Sequence, residues 1–86
     1  MFKQIKKRDG KIVKFNLDKI VEAIGKAGTA TEEFGEARAK ALAEKVAERA
    51  SGAIGNRIPS VEQVQDLVET VLMESAFKKT AKAYIT

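Results

Sequence analysis

The sequence predicts an α+β fold, a small N-terminal β-hairpin followed by four helices. Three observations carry that expectation. Two short β-compatible runs flank an Asp-Gly turn within the first fifteen residues, and four later segments repeat apolar residues at helical spacing. The chain has 86 residues, 44% of them apolar and 33% charged, which is the composition of one globular domain. A domain this short buries roughly 60–65% of the surface of its unfolded chain. With aromatic residues at only 6%, its single modest core must be built from Val, Ile, Leu and Ala.

The elements follow in order. Lys3-Gln4-Ile5-Lys6-Lys7 and Lys11-Ile12-Val13-Lys14-Phe15 are the strands. Asp9-Gly10 turns between them because both residues tolerate positive φ. Ile5, Val13 and Phe15 can share one face. Asn16 is the expected N-cap of the first helix, whose stripe is Leu17, Ile20, Val21, Ile24 and Ala27, and Gly25 and Gly28 are expected to end it. Thr29 with Glu32 offers a capping box for the second helix, whose start could equally be Thr31. Ala39, Leu42, Ala43, Val46 and Ala50 form the second stripe, with small side chains that allow close helix approach. Ser51-Gly52 and Gly55-Asn56 mark a loop. Arg57-Ile58-Pro59 is extended by its proline and is the candidate for a short third strand. Ser60 and Gln63 form a second capping box. They open a helix striped by Val61, Val64, Leu67, Val68, Val71 and Leu72. Ala76-Phe77 breaks it, and Phe77, Ala81, Tyr84 and Ile85 line a fourth. That helix stops at Thr86 without a C-cap, so residues 1–86 are expected to be one domain cut from a larger protein.

Composition removes several chemistries. The chain has no Cys and no His, so these residues build no zinc finger, disulfide scaffold or Cys–His or Ser–His–Asp nucleophile system. No apolar run reaches the ~20 residues of a membrane span, and Met1-Phe2-Lys3-Gln4 does not begin a signal peptide. The expectation is a protein of the cytoplasm with no membrane partner. Glu32, Glu33 and Glu36, and likewise Glu62, Asp66 and Glu69, read as solvated helix faces rather than acid/base pairs.

Charge is placed unevenly. Residues 1–20 hold seven bases against two acids, while residues 21–86 hold nine against ten. The net charge of +4 therefore sits in the first quarter, where it attracts an anion or guards a strand edge. Lys6-Lys7-Arg8 end a strand beside a tight turn, and Asn16 and Lys19 stand at a helix N-terminus, whose free N–H groups and dipole suit phosphate. If the hairpin folds over that helix start, Lys7, Arg8, Lys14 and Lys19 converge on one polyphosphate. No glycine-loop phosphate motif occurs. The rival pattern is Ile24-Gly25-Lys26-Ala27-Gly28, which matches the I-G-x-x-G loop with which KH domains clamp nucleic acid. Its continuation Thr29-Ala30-Thr31 lacks the apolar residue that would open a KH helix, so a glycine-ended helix is preferred.

The run Ile5-Lys6-Lys7-Arg8-Asp9-Gly10-Lys11-Ile12-Val13-Lys14-Phe15-Asn16-Leu17-Asp18-Lys19-Ile20 strongly resembles the opening signature of the ATP-cone family. The resemblance continues through Ala23-Ile24, through Ile58-Pro59-Ser60-Val61-Glu62-Gln63-Val64, and through the closing Thr80-Ala81-Lys82-Ala83-Tyr84-Ile85. It implies a few short strands capping a helical bundle, here the hairpin capping a four-helix bundle, and a non-catalytic regulatory domain, typically at the N-terminus of a ribonucleotide reductase. Such a domain binds ATP or dATP, here expected with Mg²⁺, without hydrolysis, and controls activity through oligomeric state. The implied partners are the remainder of a reductase chain and its oligomer contacts. A cone of a nucleotide-dependent transcriptional repressor is one alternative, although that repressor carries a Cys-rich zinc ribbon. A nucleic-acid-binding module or a bare helical scaffold is another.

The resemblance also implies site residues. Lys7 and Arg8 match the pair that contacts nucleotide, and Asn16 and Lys19 the polar pair beside it. Ile5 and Ile20 match apolar positions that flank the base, and Lys14 adds to the basic cluster. Val13 and Val61 stand where some reductase cones place a polar ligand residue, which favours packing on base or ribose. Ala76 replaces a frequent glycine.

Overall fold

The computed structural model describes residues 2–85. Strand β1 (Gln4–Lys6) pairs antiparallel with β2 (Ile12–Lys14) in the register Gln4 to Lys14, Ile5 to Val13 and Lys6 to Ile12. The turn closes through the Gly10 amide on the Lys7 carbonyl (2.9 Å) and the Lys7 amide on the Lys11 carbonyl (2.8 Å). Asp9 Oδ1 accepts from the Lys11 amide, and Gly10 sits at φ 89°, where a Cβ would be strained. The expected third strand reduces to one parallel bridge. The Lys6 amide donates to the Pro59 carbonyl at 2.9 Å, pairing Lys6 with Ser60. Pro59 has no N–H to return, and the Ser60 amide is taken by Gln63 Oε1, so the ladder cannot propagate.

Four helices follow: α1 (Leu17–Ala30), α2 (Glu36–Ala53), α3 (Val61–Glu74) and α4 (Lys78–Ile85). Asn16 caps α1 through the Asp18 amide, and Ser60 and Gln63 cap α3 reciprocally, both as the sequence predicts. The first helix boundary differs. Gly25 and Gly28 lie inside α1, which ends three residues later at Thr31. The helix there tolerates glycine because the space is taken. Gly28 is buried, and a Cβ on it would overlap the Phe34 ring. The KH-like loop is therefore overturned: its two glycines are helical. The Thr29–Glu32 capping box is also absent. Thr31 is the C-cap of α1, and α2 starts behind Gly35 with no side-chain cap.

The bundle core joins Ile24, Leu42, Val46, Val68 and Leu72 with the small residues Ala39, Ala43 and Ala81. A Cβ on Gly25 would rest 3.6 Å from that of Ala39, so α1 and α2 approach closely, as their small side chains allow. A second cluster of Phe2, Ala50, Ile54 and Val64 is covered by Ile5, Phe15 and Ile20. Phe2 and Phe15 meet edge-on, 4.6 Å between centroids. This cluster fastens the hairpin onto the bundle. The Ala76 bend needs no positive φ, since among the described residues the non-glycine residue with one is Glu32. The expected abrupt end at Thr86 lies outside the described residues. No helix among them is long and apolar enough to cross a membrane.

Candidate functional site

Beneath the hairpin lies a cavity of about 260 Å³. Its floor is apolar: Ile5 from β1, Val13 from β2, Phe15 from the link, Ile20 from α1, and Val64 and Val68 from α3. The alternation of each strand turns Ile5 and Val13 inward while Gln4, Lys6, Ile12 and Lys14 remain exposed. Around the mouth stand Lys7, Lys14, Asn16 and Lys19. Along α3 the lining runs from Val61 to Val68, about 10 Å of helix at 1.5 Å per residue. Tyr84 from α4 and Ala23 from α1 also border it.

The electrostatics favour an anion. Among the described residues Lys7, Lys14 and Lys19 form no ion pair, so three like charges face one opening. The first turns of α1 supply Asn16, Lys19 and Ile20 to the wall, and the positive end of the helix dipole adds to the field there. Asn16 Oδ1 is occupied by the Asp18 amide at 3.0 Å, which leaves its amide NH₂ to donate.

Arg8 departs from the expected convergence. It lies over a neighbouring depression shared with Lys7, Asp9, Val61 and Gln65, and its Nε donates to Glu62 Oε1 at 2.9 Å. Both side chains are largely exposed, 75% and 53%. A pair so exposed contributes about 0–1 kcal/mol, so an incoming phosphate can displace Glu62. The other candidates, Ile5, Lys7, Val13, Lys14, Asn16, Lys19, Ile20 and Val61, all border the one cavity.

Sequence reasoning missed Phe15, Ala23, Val64, Gln65, Val68 and the cavity position of Tyr84. Gln65 follows Val61 by four residues on α3 and so shares its face; that spacing was the available signal. Gln65 borders both depressions. Tyr84 is half-buried. Burial raises the pKa of its phenol, and the Glu69 carboxylate raises it further, so the phenol stays a neutral hydrogen-bonding group at physiological pH.

A larger depression of about 320 Å³ between α2 and α3 is bordered by Lys45, Glu48, Arg49 and Glu74. Arg49 and Glu74 pair across it, and its mixed charges leave no unbalanced field for an anion. No group of three or more carboxylates that could hold a metal occurs among the described residues.

The cavity under the hairpin thus joins an apolar slot to a cationic mouth. The family model described as ATP cone domain matches residues 3–86. A vitamin B12-dependent ribonucleoside-diphosphate reductase from Thermoplasma acidophilum is 41% identical over 90 residues, covering 99% of this chain and 11% of the relative. The chain therefore spans about a tenth of the length of the curated relative it matches.

Proposed function

The chain belongs to the ATP-cone family of nucleotide-binding regulatory domains, and from that premise we propose that the cavity under the hairpin is its nucleotide site and that ATP and dATP are the competing ligands. One observation carries the reading: an apolar slot opens onto three lysines that no acidic side chain neutralises. The cavity falls just short of the ~300–1,000 Å³ of pockets that enclose a drug-sized molecule. It suits one heterocyclic base, with the phosphates at the open rim. The base lies against Ile5, Val13, Ile20 and Val61. Lys7, Lys14 and Lys19 hold the phosphates, and Arg8 joins them by exchanging Glu62 for an anionic oxygen. Mg²⁺ travels on the phosphate oxygens, since the mouth offers lysines rather than carboxylates.

ATP and dATP differ only in the 2′-hydroxyl. A hydrogen bond made to it and lost in dATP is worth on the order of 1–3 kcal/mol in a partly buried site. Gln65, the Asn16 NH₂ and the Tyr84 hydroxyl are the neutral groups able to make it. Regulation then needs differential contacts, in which each nucleotide favours one of two surface arrangements and each arrangement favours different quaternary contacts. The parent protein on this reading is a ribonucleotide reductase, residues 1–86 act as its allosteric domain, and the chemistry is done elsewhere in that protein.

Titration calorimetry with ATP and with dATP, in Mg²⁺ at physiological salt, tests this. Saturable binding of mononucleotide, with a different affinity or heat for the two, is expected. Absence of mononucleotide binding, together with oligonucleotide binding that falls steeply with salt, would overturn it.

A further inference from the structure

The turn after α1 ties down the start of α4 through Thr31, Glu33 and Phe34. The Thr31 hydroxyl lies 2.8 Å from the Thr80 hydroxyl and 3.0 Å from the Ala27 carbonyl. Glu32 takes the left-handed conformation, φ 60°. Its amide donates to the Thr29 carbonyl and the Glu33 amide to the Gly28 carbonyl, the two bonds of a Schellman closure. Glu33 Oε1 then accepts from the Thr80 amide at 2.6 Å, capping α4 from 47 positions away in sequence. Phe34 lies on Gly28 and meets Phe77 edge-on at 4.8 Å, just before α4 begins.

Thr80 is fully buried. It lies four residues before Tyr84, hence on the same face of α4 and about 6 Å along its axis. Neither Thr31, Glu33 nor Thr80 borders the cavity, while Tyr84 does. Residues 78–85 form one continuous stretch of helix, which turns as one piece. With side chains about 5–6 Å from the helix axis, a 20° rotation moves their ends by about 2 Å. That is enough to remove Tyr84 from the wall.

We propose that Glu33 and Thr31 are positioning residues for the nucleotide site, acting through Thr80 to fix the rotation of α4 that presents Tyr84 to the cavity. The inference rests on the cavity being the nucleotide site. It adds that affinity is set partly from the far end of the bundle, by groups that never touch ligand. The clasp bonds the α4 N-terminus, and Tyr84 meets the ligand at the other end of the same helix. Each therefore biases the other through one rigid element.

The test uses Glu33→Ala, Glu33→Gln and Thr31→Val, each alone and combined with Tyr84→Ala. Helical circular dichroism establishes that each variant is folded. Glu33→Ala is expected to weaken ATP binding about tenfold, within the range by which residues remote from a ligand modulate coupling. Glu33→Gln retains an oxygen that accepts from the Thr80 amide and should recover most of that loss. In the Tyr84→Ala background, Glu33→Ala should have no further effect. Unchanged affinity in Glu33→Ala, or an equal loss with Tyr84 already removed, overturns the proposal.

A ligand-free readout separates this failure from failure of the nucleotide assignment. The chain has one tyrosine and no tryptophan, so ultraviolet titration reports Tyr84 alone. Its midpoint lies above the ordinary 10.0 in the intact chain. It should fall toward that value in Glu33→Ala as the ring leaves its half-buried place beside Glu69. A midpoint that does not move overturns the clasp, whether or not the chain binds nucleotide. If the intact chain binds no nucleotide but the midpoint falls, the clasp stands as the holder of α4 and the ligand assignment fails.

Discussion

At the hairpin end of the bundle, three lysines stand without acidic partners around an apolar floor; at the far end of α1, Thr31, Glu33 and Thr80 satisfy one another. No buried side-chain polar atom among the described residues lacks a partner. The difference separates two uses of charge. Groups that hydrogen-bond internally fix where helices sit. Like charges left facing one opening repel one another, and an anion bound there relieves that repulsion. Substitutions at the two ends should therefore have different consequences: at the mouth they lower affinity with little change in stability, whereas at the far end they lower stability and reach affinity only through α4.

The largest effect should come from removing two lysines together. Charge-assisted hydrogen bonds contribute about 1.5–3 kcal/mol each before competing costs, so Lys7→Ala with Lys19→Ala should lower ATP affinity roughly 100-fold. The melting temperature should stay within about 2 °C, because exposed unpaired charges add little to stability. Calorimetric titration and thermal unfolding of the same sample measure both. An unchanged affinity would remove the phosphate assignment, and a large fall in melting temperature would erase the division between the two ends.

At the other end, Gly28→Ala puts a methyl group into the space held by the Phe34 ring. Overpacking of this kind costs about 1–3 kcal/mol, and each kcal/mol lowers the melting temperature of a domain this size by about 4–8 °C. A variant that melts like the parent would mean that Phe34 moves aside freely and does not anchor the turn.

What could be read from the sequence follows the same division. The hairpin turn, the Asn16 cap and the Ser60–Gln63 box are decided within three or four residues, so local chemistry announces them. The hairpin-over-helix arrangement could be guessed from the strand pattern and the helix start. That is why Lys7, Lys14 and Lys19 were expected to converge, whereas Ile5, Val13 and Ile20 were expected beside the ligand only because they match positions of the ATP-cone signature. The boundary between α1 and α2 was misread because glycine usually ends a helix. Gly28 is instead required by a ring six residues further on, and that demand leaves no mark at Gly28 itself. Arg8 was expected to face inward with the lysines, but its partner Glu62 lies 54 positions away. Glu33 was read as solvated, yet it caps α4. Contacts between distant segments have no period and no spacing to betray them.

The pH dependence of stability can sharpen the contrast. Burial alone would raise the pKa of Glu33, but bonds from the Thr80 hydroxyl and amide and the Lys79 amide, with the Lys79 charge, hold it below the ordinary 4.5. The folded chain therefore takes up this proton less readily than the unfolded chain. The contribution is fully present above about pH 4.5, the unfolded value, and is lost as pH falls through the lower folded value. Denaturant unfolding at pH 7 and at pH 3 should show a smaller acid loss in Glu33→Gln than in the parent. Equal losses would mean the carboxylate charge does not hold the turn.

The smallest effect expected, and a stabilising one, is at Glu32. Gly10 and Gly55 occupy the positive-φ positions at φ 89° and 66°, whereas the α1 turn places a glutamate at φ 60°. A left-handed residue with a Cβ costs roughly 1–2 kcal/mol, and a glycine there would return part of that as lost chain entropy, roughly 0.5–1 kcal/mol. Charge does little to tip the balance. Glu32 is unfavourable beside the C-terminus of α1 but favourable three residues before the cap of α2. Glu32→Gly should therefore stabilise the chain by about 0.5 kcal/mol, close to a 2–4 °C rise in melting temperature. Because the backbone bonds of the turn are kept, ATP affinity should not change. A rise in stability with unchanged affinity would show that the strained residue is only tolerated. A rise in stability with altered affinity would show that the strain itself is transmitted along α4 to the cavity.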